Sequence, residues 1–175
     1  MTLHLHNPDP ALKTAALAYA ARGWPVLPLY PAYDRSCGCG DPLCKSPGKH
    51  PLRTVVTHGL HGASAFAFHV DRWWTQHPDA NIAIRTGQAS GLVVIDLDDK
   101  PHEGRDGNAT WRRLLAVHAD GATPETVEAL TGGGGRHLYF QAPTDLLVAS
   151  SKDALGPGID VRGENGYVAA PPSSH

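Results

Sequence analysis

The sequence predicts an α+β fold, in which helices and strands occupy separate stretches of one chain. Apolar residues recur at helical spacing in three segments, at about residues 9–23, 64–77 and 109–118. Leu92–Ile95 form a continuous apolar run, as expected of a strand that is buried on both faces. Glycine-rich turns join several of the strand-like segments, which favours hairpins between them.

The composition is that of a globular protein without a strong charge bias. Of the 175 residues, 41% are apolar and 18% are charged, which is enough for one domain with a core. The formal net charge of −2 excludes a uniformly basic nucleic-acid binder but leaves a local basic groove open. The sequence has no run of about 18 apolar residues, and Met1–Asp9 lacks the apolar core of a signal peptide. We therefore expect a cytoplasmic protein that makes no contact with a membrane and whose cysteines form no disulfides.

The first predicted elements are a helix and a strand. Asp9 suits the N-cap, Pro10 suits the first helical position, and Gly23 marks the end of a helix over residues 9–23. Trp24–Tyr30 then follows as a strand, and its two prolines place it at a sheet edge or limit its length.

A cysteine-rich loop follows at about residues 37–50. It holds all three cysteines of the chain and a histidine, namely Cys37, Cys39, Cys44 and His50. Three Cys and one His complete a tetrahedral ligand set for Zn²⁺ and leave no position open for a substrate, so we interpret the site as structural. Three loop thiols that lie close together by chance are the alternative. Lys45, Lys49 and Arg53 lie on the same loop, where they either face phosphates or solvate a surface turn.

Residues 64–77 predict the second helix, with Ser64 as a candidate cap. Four large residues recur in it at helical spacing, namely Phe66, Val70, Trp73 and Trp74. This spacing indicates core packing, with a platform for base stacking as the alternative.

A strand over Asn81–Thr86 and the turn Gly87–Gly91 lead into the apolar run, and together they predict a hairpin. In that hairpin, Arg85 would point in the same direction as the carboxylates that follow the run, if the register allows it.

Two of these carboxylates, Asp96 and Asp98, end the apolar run. Side chains alternate along a strand, so the two aspartates emerge on one face while Leu97 points to the other. Both carboxylates stay ionised only if a cation lies between them, and oxygen ligands suit Mg²⁺ or Mn²⁺. A strand end that runs into a solvated acidic turn is the alternative.

A glycine run is the second informative stretch. A polar loop over residues 100–107, a helix over 109–118 and a strand over 126–130 precede it. Gly132–Gly135 then expose backbone N–H groups to a phosphate or to another part of the chain, or they form a flexible hairpin turn. His137 enters the next strand directly from these glycines, and this position favours a functional role over that of an ordinary surface or core histidine.

The third stretch predicts another hairpin, because the turn Gly163–Gly166 separates two strand-like segments. Asp160 and Arg162 share a face of the first of these strands. They form a structural ion pair, or the aspartate completes a three-carboxylate metal site while the arginine contacts a triphosphate.

With Asp96 and Asp98, then His137, then Asp160 within Gly158–Gly163, the sequence resembles the bifunctional DNA primase/polymerase N-terminal domain. This is the prim-pol branch of the archaeo-eukaryotic primase superfamily. The resemblance implies a catalytic sheet similar to an RNA-recognition module, joined to a smaller N-terminal αβ unit. We take the whole chain as a single catalytic domain, with the zinc loop at about 37–50 and the catalytic sheet at about 81–172.

The resemblance also implies the roles of the candidate site residues. Asp96, Asp98 and Asp160 correspond to acids that bind Mg²⁺ or Mn²⁺, as two catalytic ions, and His137 corresponds to a residue that contacts the nucleotide. We expect four further residues to contribute to nucleotide binding, namely Arg162, Arg136, Lys49 and Arg85.

The implied activity is metal-dependent, template-directed nucleotidyl transfer, which covers both primer synthesis and primer extension. The implied substrates are a single-stranded DNA template and nucleoside triphosphates. Because the chain stops soon after Pro171–Pro172, we expect it to be the N-terminal part of a longer protein with a helicase region. Two other classes stay open, namely a metal-dependent nuclease and a non-catalytic module that binds single-stranded nucleic acid.

Overall fold

The computed structural model describes residues 10–34 and 36–174. The described helices are α1 (Pro10–Ala21), α2 (Ala67–Gln76) and α3 (Gly107–His118). The described strands are β1 (Val26–Leu29), β2 (Ala32–Tyr33), β3 (Ser36–Cys37), β4 (Asn81–Arg85), β5 (Leu92–Leu97), β6 (Asp99–Lys100), β7 (Arg105–Asp106), β8 (Val127–Leu130), β9 (Arg136–Gln141), β10 (Ser151–Lys152), β11 (Ile159–Arg162) and β12 (Tyr167–Ala170). The fold is therefore α+β, as the sequence predicts. Asp9, the expected N-cap of α1, lies outside the described residues.

The chain divides into two compact units. The first unit comprises Met1–Ile84 and Ala169–His175, and the second comprises Arg85–Val168. Within the described part of the chain, no helix has both the length and the apolar character that are needed to cross a membrane.

The first unit is built on a three-stranded sheet with the order β1-β4-β12. The expected edge position of the first strand is confirmed, because β1 ends the strand order beside β4, and its other edge forms only isolated bridges among the described residues, at Val26 and Leu29. Pro28 does not interrupt the pairing of β1 with β4, because its backbone nitrogen and carbonyl point away from β4. Its carbonyl oxygen accepts a hydrogen bond from the N–H of Leu52 at 2.9 Å, and no ladder hydrogen bond is lost to the missing N–H of proline.

Helices α1 and α2 pack against each other in the first unit. Lys13 of α1 pairs with Asp71 of α2 at 2.7 Å. Helix α2 buries Val70 and Trp74, and the indole N–H of Trp74 donates to the carbonyl of Ala80 at 2.8 Å. Core packing is thus confirmed for these two residues.

Two details of α2 differ from the sequence prediction. Phe66 lies just outside the helix and is 64% exposed, so it is not a core residue. Ser64 does not cap the helix, which begins at Ala67. Its hydroxyl instead accepts a hydrogen bond from the N–H of Phe66, two residues further along the chain, and closes a local turn.

The second unit is built on a five-stranded antiparallel sheet with the order β10-β11-β5-β9-β8. Alternate residues of its strands form an apolar cluster on one face, namely Val93, Ile95, Leu97, Leu138, Ile159 and Val161. Trp111 and Leu114 of α3 pack against this cluster. Asp106 caps α3, because its carboxylate accepts the N–H of Ala109 at 2.8 Å. The opposite face of the sheet carries Asp96, His137, Asp160 and Arg162.

Both predicted hairpins are wrong, and so is the predicted extent of the catalytic sheet. The turn Gly87–Gly91 joins β4 to β5, but these strands belong to different sheets. The turn Gly163–Gly166 likewise joins β11 of the five-stranded sheet to β12 of the three-stranded sheet. The predicted sheet over about 81–172 therefore consists of strands from two sheets. The physical reason is that a turn signal shows a reversal of the chain but not which strand becomes the neighbour.

The glycine run forms the hairpin turn between β8 and β9. The N–H of Thr131 donates to the carbonyl of Gly135 at 2.9 Å. Gly135 also lies against the backbone of β5, where a Cβ would overlap the carbonyl oxygen of Leu97. The run therefore forms the hairpin turn that was one of its two interpretations. The close approach of the β5 backbone explains why a residue without a Cβ is needed at Gly135.

Candidate active site

Three predicted site residues lie in register on neighbouring strands. Asp160 of β11 is opposite Asp96 of β5, and Asp96 is opposite His137 of β9. Residues directly opposite each other in an antiparallel sheet point to the same face, so these side chains form one row on the face that is not covered by α3. The imidazole Nε2 of His137 lies 3.4 Å from Oδ1 of Asp96. We call these three residues the acidic row.

Arg162 lies one pleat beyond Asp160 on the same face of β11. Its Nη2 donates to Oδ2 of Asp96 at 3.0 Å and to Oδ2 of Asp160 at 3.0 Å. Burial raises the pKa of Asp96, but the hydrogen bonds and charges of His137 and Arg162 outweigh burial and bring the pKa below its ordinary value. Asp96 therefore stays ionised in a half-buried position.

Asp98 lies just beyond the end of β5, where its backbone is fixed on both sides. Its N–H donates to the carbonyl of Gly158 at 2.8 Å, and its carbonyl accepts the N–H of Gly107 at 2.9 Å. Its carboxylate is linked to the acidic row through Arg105, whose Nη2 lies 3.1 Å from Oδ2 of Asp98 and 3.5 Å from Oδ1 of Asp160. The structure thus brings Asp96, Asp98, Asp160, His137 and Arg162 together.

Sequence reasoning missed two residues of this site, Arg105 and Asp153. Arg105 comes from the short strand β7, inside the stretch that was predicted as a polar loop. The same Nη2 that contacts Asp98 and Asp160 lies 3.0 Å from Oδ1 of Asp153. The backbone N–H of Asp153 in turn donates to Oδ1 of Asp160 at 3.2 Å. No periodicity marks either residue, because turns outside the strands of the sheet bring them to the site.

The site therefore combines four carboxylates with two guanidinium groups. Asp160 is only 6% exposed, and buried carboxylates this close together need cations to stay ionised. Here Arg105 and Arg162 supply the positive charge. The donor set consists of hard carboxylate oxygens, which fits Mg²⁺ or Mn²⁺ and not a thiophilic ion. The chemistry of the donors is therefore compatible with the metal ions that the sequence predicts.

Arg136, expected at the nucleotide, lies on the other face of the sheet. It precedes His137 on β9 and is opposite Leu97 of the apolar face. Its guanidinium donates to both carboxylate oxygens of Glu128 at 2.6 and 2.5 Å, and to Oδ1 of Asn108 in α3 at 3.2 Å. The structure does not bring Arg136 to the acidic row, because adjacent residues of a strand point to opposite faces.

The reason for expecting Arg85 at the site was the hairpin between β4 and β5, which does not form. Its Nε is buried and has no hydrogen-bond partner among the described residues. Lys49 belongs to the first unit, in the cysteine-rich loop. A role of either residue at the nucleotide therefore stays a prediction.

The cysteine-rich loop brings its predicted ligands together. The ligand atoms of Cys37, Cys39, Cys44 and His50 all lie within 4.8 Å of one another. Within the described part of the chain, this is the one group of three or more Cys, His, Asp or Glu residues that gathers so closely. Nε2 of His50 faces the sulfurs, at 3.2 Å from Sγ of Cys37 and 3.5 Å from Sγ of Cys44. This donor set of three sulfurs and one nitrogen could bind zinc.

The thiols of the cluster shift one another's pKa values in opposite directions. Burial raises the pKa of Cys37, but hydrogen bonds from the backbone of Cys39 and Gly48, and from the side chains of Cys39 and His50, bring it down to about 6. The N–H of Ser46 lowers the pKa of Cys44, but burial and the sulfurs of Cys37 and Cys39 outweigh it and raise that pKa. The negative charge of one thiolate thus disfavours deprotonation of the next thiol, and a bound metal ion would offset this repulsion.

The loop is also anchored to the rest of the first unit. The imidazole of His50 lies against the ring of Tyr30, with ring centroids 4.8 Å apart. The buried Asn81 donates through Nδ2 to the carbonyl of Gly48 at 3.1 Å and to that of Ser174 at 2.5 Å. Partners of this kind orient metal ligands from outside the ligand set.

Comparison with known protein families identifies the class to which the chain belongs. The family model of the bifunctional DNA primase/polymerase N-terminal domain matches residues 16–175. The chain therefore belongs to this family, which confirms the resemblance found in the sequence. None of the curated proteins with which the chain was compared matches it.

Proposed function

We propose that the chain catalyses metal-dependent, template-directed nucleotidyl transfer, with primer synthesis and primer extension on single-stranded DNA. The observation that carries the proposal is the row Asp160, Asp96 and His137, in register on three neighbouring strands. Three adjacent strands hold these side chains more rigidly than a loop would, and this rigidity suits a reaction that depends on alignment.

We assign the ligands of the divalent cations to Asp96, Asp98 and Asp160. When bound, Mg²⁺ or Mn²⁺ lowers the pKa of the attacking 3′-hydroxyl and neutralises charge on the triphosphate and on the departing pyrophosphate. The hydroxyl oxygen attacks the α-phosphorus, and the bond to the bridging oxygen of pyrophosphate breaks. Asp98 is the ligand with the weakest support, because it lies beyond the strand and only Arg105 links it to Asp160.

His137 and Arg162 are the residues that we assign to the phosphates of the incoming nucleotide. Both contact Asp96, from opposite sides of its carboxylate, at 3.4 Å and 3.0 Å. The N–H groups of His137 and Arg162 that now contact the carboxylate of Asp96 could also donate hydrogen bonds to the phosphate oxygens of a bound nucleotide. Their contribution would be alignment and charge neutralisation, which account for most of the catalysis of phosphoryl transfer.

The finer features of the domain belong to the same proposal. We assign a structural role to the zinc site of the cysteine-rich loop, because four protein ligands leave no position for a substrate. We take the five-stranded sheet, with its single helical layer, as the counterpart of an RNA-recognition-module sheet. A helicase region in the same polypeptide stays a prediction, as do the roles of Lys49 and Arg85.

The test measures template-dependent product formation from labelled nucleotides, with and without a primer, in Mg²⁺ and in Mn²⁺. Asp96→Ala and Asp98→Ala should each abolish primer synthesis and extension, while circular dichroism and Tm show an intact fold. Loss of a ligand to a catalytic metal typically costs at least about 10³-fold in rate.

Asp99→Ala is the matched control, because Asp99 is an exposed neighbour of Asp98 that lies outside the site. This variant should retain normal incorporation. Normal incorporation by Asp96→Ala would show that the assignment is wrong. Shortening of the DNA by the wild type, in place of lengthening, would show a nuclease, and template binding that is indifferent to divalent metal and yields no product would show a binding module.

A further inference from the structure

The acidic row continues across the sheet to a fourth residue that no motif of the sequence marks. Lys152 of the edge strand β10 is opposite Asp160 of β11 in the strand register. The cross-strand sequence on this face is therefore Lys152, Asp160, Asp96 and His137. Side chains of directly opposite residues are neighbours on one face, with Cβ atoms about 5 Å apart, so Lys152 borders the site.

Lys152 differs from the two arginines of the site in that its charge is uncommitted. Nη2 of Arg105 contacts three carboxylates, and Nη2 of Arg162 contacts two. Lys152 is exposed, and its ammonium group forms no hydrogen bond or ion pair with a described residue. The carboxylate opposite it, Asp160, has one oxygen in contact with each arginine. The ammonium group of Lys152 is therefore available to a ligand.

We infer that Lys152 binds a phosphate oxygen of the incoming nucleoside triphosphate at the end of the acidic row. This inference rests on the proposed function and adds a positioning residue to it. A triphosphate carries more negative charge than the two arginines can balance while they also serve four carboxylates. An ammonium group on a flexible stem is a common ligand for phosphate and needs no fixed angle of approach.

A second explanation for a lysine at this position is protection of the sheet edge. Strand β10 is the outer strand of the sheet, and exposed lysines on edge strands discourage pairing with other chains. That role needs a charge of either sign on the edge, whereas phosphate binding needs a positive charge. Lys152→Glu therefore separates the two explanations, because it keeps a charged edge and reverses the sign.

The phosphate could also belong to the DNA backbone. We assign the triphosphate, because Lys152 lies in the same cross-strand row as the residues assigned to the metal ions and the nucleotide. Four carboxylates around the row repel a DNA strand that brings no compensating cation of its own. Separate binding measurements with each ligand distinguish the two sources.

The experiment measures equilibrium binding of a non-hydrolysable nucleoside triphosphate in Mg²⁺, binding of a single-stranded oligonucleotide, and the steady-state KM and kcat of extension. The variants are Lys152→Ala, Lys152→Glu and Lys152→Arg. Arg112→Ala serves as the control, because Arg112 is an exposed cation of α3, the helix that packs on the opposite face of the sheet.

Lys152→Ala should weaken nucleotide binding and raise the KM by about tenfold, the lower end of the range for a hydrogen bond to a charged group. Lys152→Glu should weaken binding further, Lys152→Arg should restore most of it, and Arg112→Ala should bind as the wild type does. Oligonucleotide affinity and Tm should change little in all four variants.

Equal nucleotide affinity of the wild type, Lys152→Ala and Lys152→Glu would overturn the inference and leave the proposed function standing. A loss confined to oligonucleotide binding would also overturn it, in favour of a contact with the DNA backbone. Failure of the wild type to bind the nucleotide at all would overturn the proposed function, and the role of Lys152 with it.

Discussion

Asp96 shows how the site keeps a carboxylate ionised in a half-buried position. Desolvation of a carboxylate favours the protonated form and costs several kcal/mol if no partner is present. His137 on one neighbouring strand and Arg162 on the other offset this cost, and the pKa of Asp96 falls below its ordinary value. The side chains beside a carboxylate thus decide whether it can serve as a metal ligand at neutral pH.

The ion pair between Arg136 and Glu128 gives a prediction for stability and its dependence on pH. The hydrogen bond and charge of Arg136 outweigh partial burial and hold the pKa of Glu128 below its ordinary value of 4.5. Because the pKa is lowered on folding, the pair stabilises the protein fully above pH 4.5 and loses this effect as the pH falls through the lowered value.

Glu128→Gln should therefore lower the free energy of unfolding by about 0.5–1 kcal/mol at pH 7, the range for an exposed pair in good geometry. The difference between variant and wild type should vanish in acid, as measured by urea unfolding across the pH range. The KM for nucleotide should not change, since Glu128 and Arg136 do not contact the acidic row. A raised KM would contradict the position of Arg136 outside the nucleotide site.

The sequence alone was sufficient to predict the three residues that the structure brings together in the acidic row. Asp96, His137 and Asp160 could be predicted because each sits in or beside a strand-like segment whose alternation decides the face. Arg105 and Asp153 could not, because short turns bring them to the site, and only tertiary packing fixes where those turns end. Arg136 adjoins His137 in sequence but does not lie beside it in the acidic row, because neighbours along a strand point to opposite faces.

At the scale of the strands, the sequence predicted positions better than it predicted pairing partners. The strands of four or more residues lie where their apolar patterns predicted them, including the edge position of β1 with its prolines, whereas the two-residue strands were not predicted. Partners were less predictable, because the turns at Gly87–Gly91 and Gly163–Gly166 carry ordinary hairpin signals. Two strands that are joined by a turn pair with each other only if no other strand forms a more stable pairing with their edges. Here β5 pairs with β9 and β11 and not with β4.

Gly135 gives a prediction at the level of the β8–β9 hairpin. A Cβ there would overlap the carbonyl oxygen of Leu97, which is backbone and cannot rotate away. Gly135→Ala should therefore force β9 away from β5 and lower the free energy of unfolding by about 1–3 kcal/mol. Because β9 carries His137, the variant should also lose nucleotide affinity.

Gly133→Ala is the matched control in the same turn, because a Cβ at Gly133 meets nothing within 4 Å. It should change the free energy of unfolding by less than about 0.5 kcal/mol. Urea unfolding of both variants and the wild type checks the difference. Equal stability of the two variants would show that β5 and β9 do not need the close approach at Gly135.

At the scale of the whole molecule, the two units differ in charge. The first unit has seven Lys and Arg against five Asp and Glu, and the second has eight against twelve. The net charge of −2 hides this difference, because it averages a basic unit with an acidic one. The acidic surplus falls in the unit that holds the acidic row, where cations are to be bound, and the basic unit is better suited to contact a polyanion.

The cysteine-rich loop gives the last prediction, which concerns the integrity of the first unit. One zinc ion per chain should be found in the purified protein, and a zinc chelator should lower the Tm by roughly 5–10 °C, as expected for the loss of about 2–3 kcal/mol. The loop joins elements that are distant in sequence, through the hydrogen bonds of Asn81 to Gly48 and Ser174. Without the ion, the loop should open, because the negatively charged thiolates of the cluster repel one another.

Limited digestion with trypsin reports this opening directly, because Lys45, Lys49 and Arg53 lie in or next to the loop. Cleavage at these residues should accelerate in the chelated protein and in Cys39→Ser, and added zinc should reverse it only in the wild type. Ser46→Ala, which changes the loop without removing a ligand, should digest as the wild type does. Equal cleavage with and without chelator, in a chain that holds zinc, would show that the ion does not hold the loop closed.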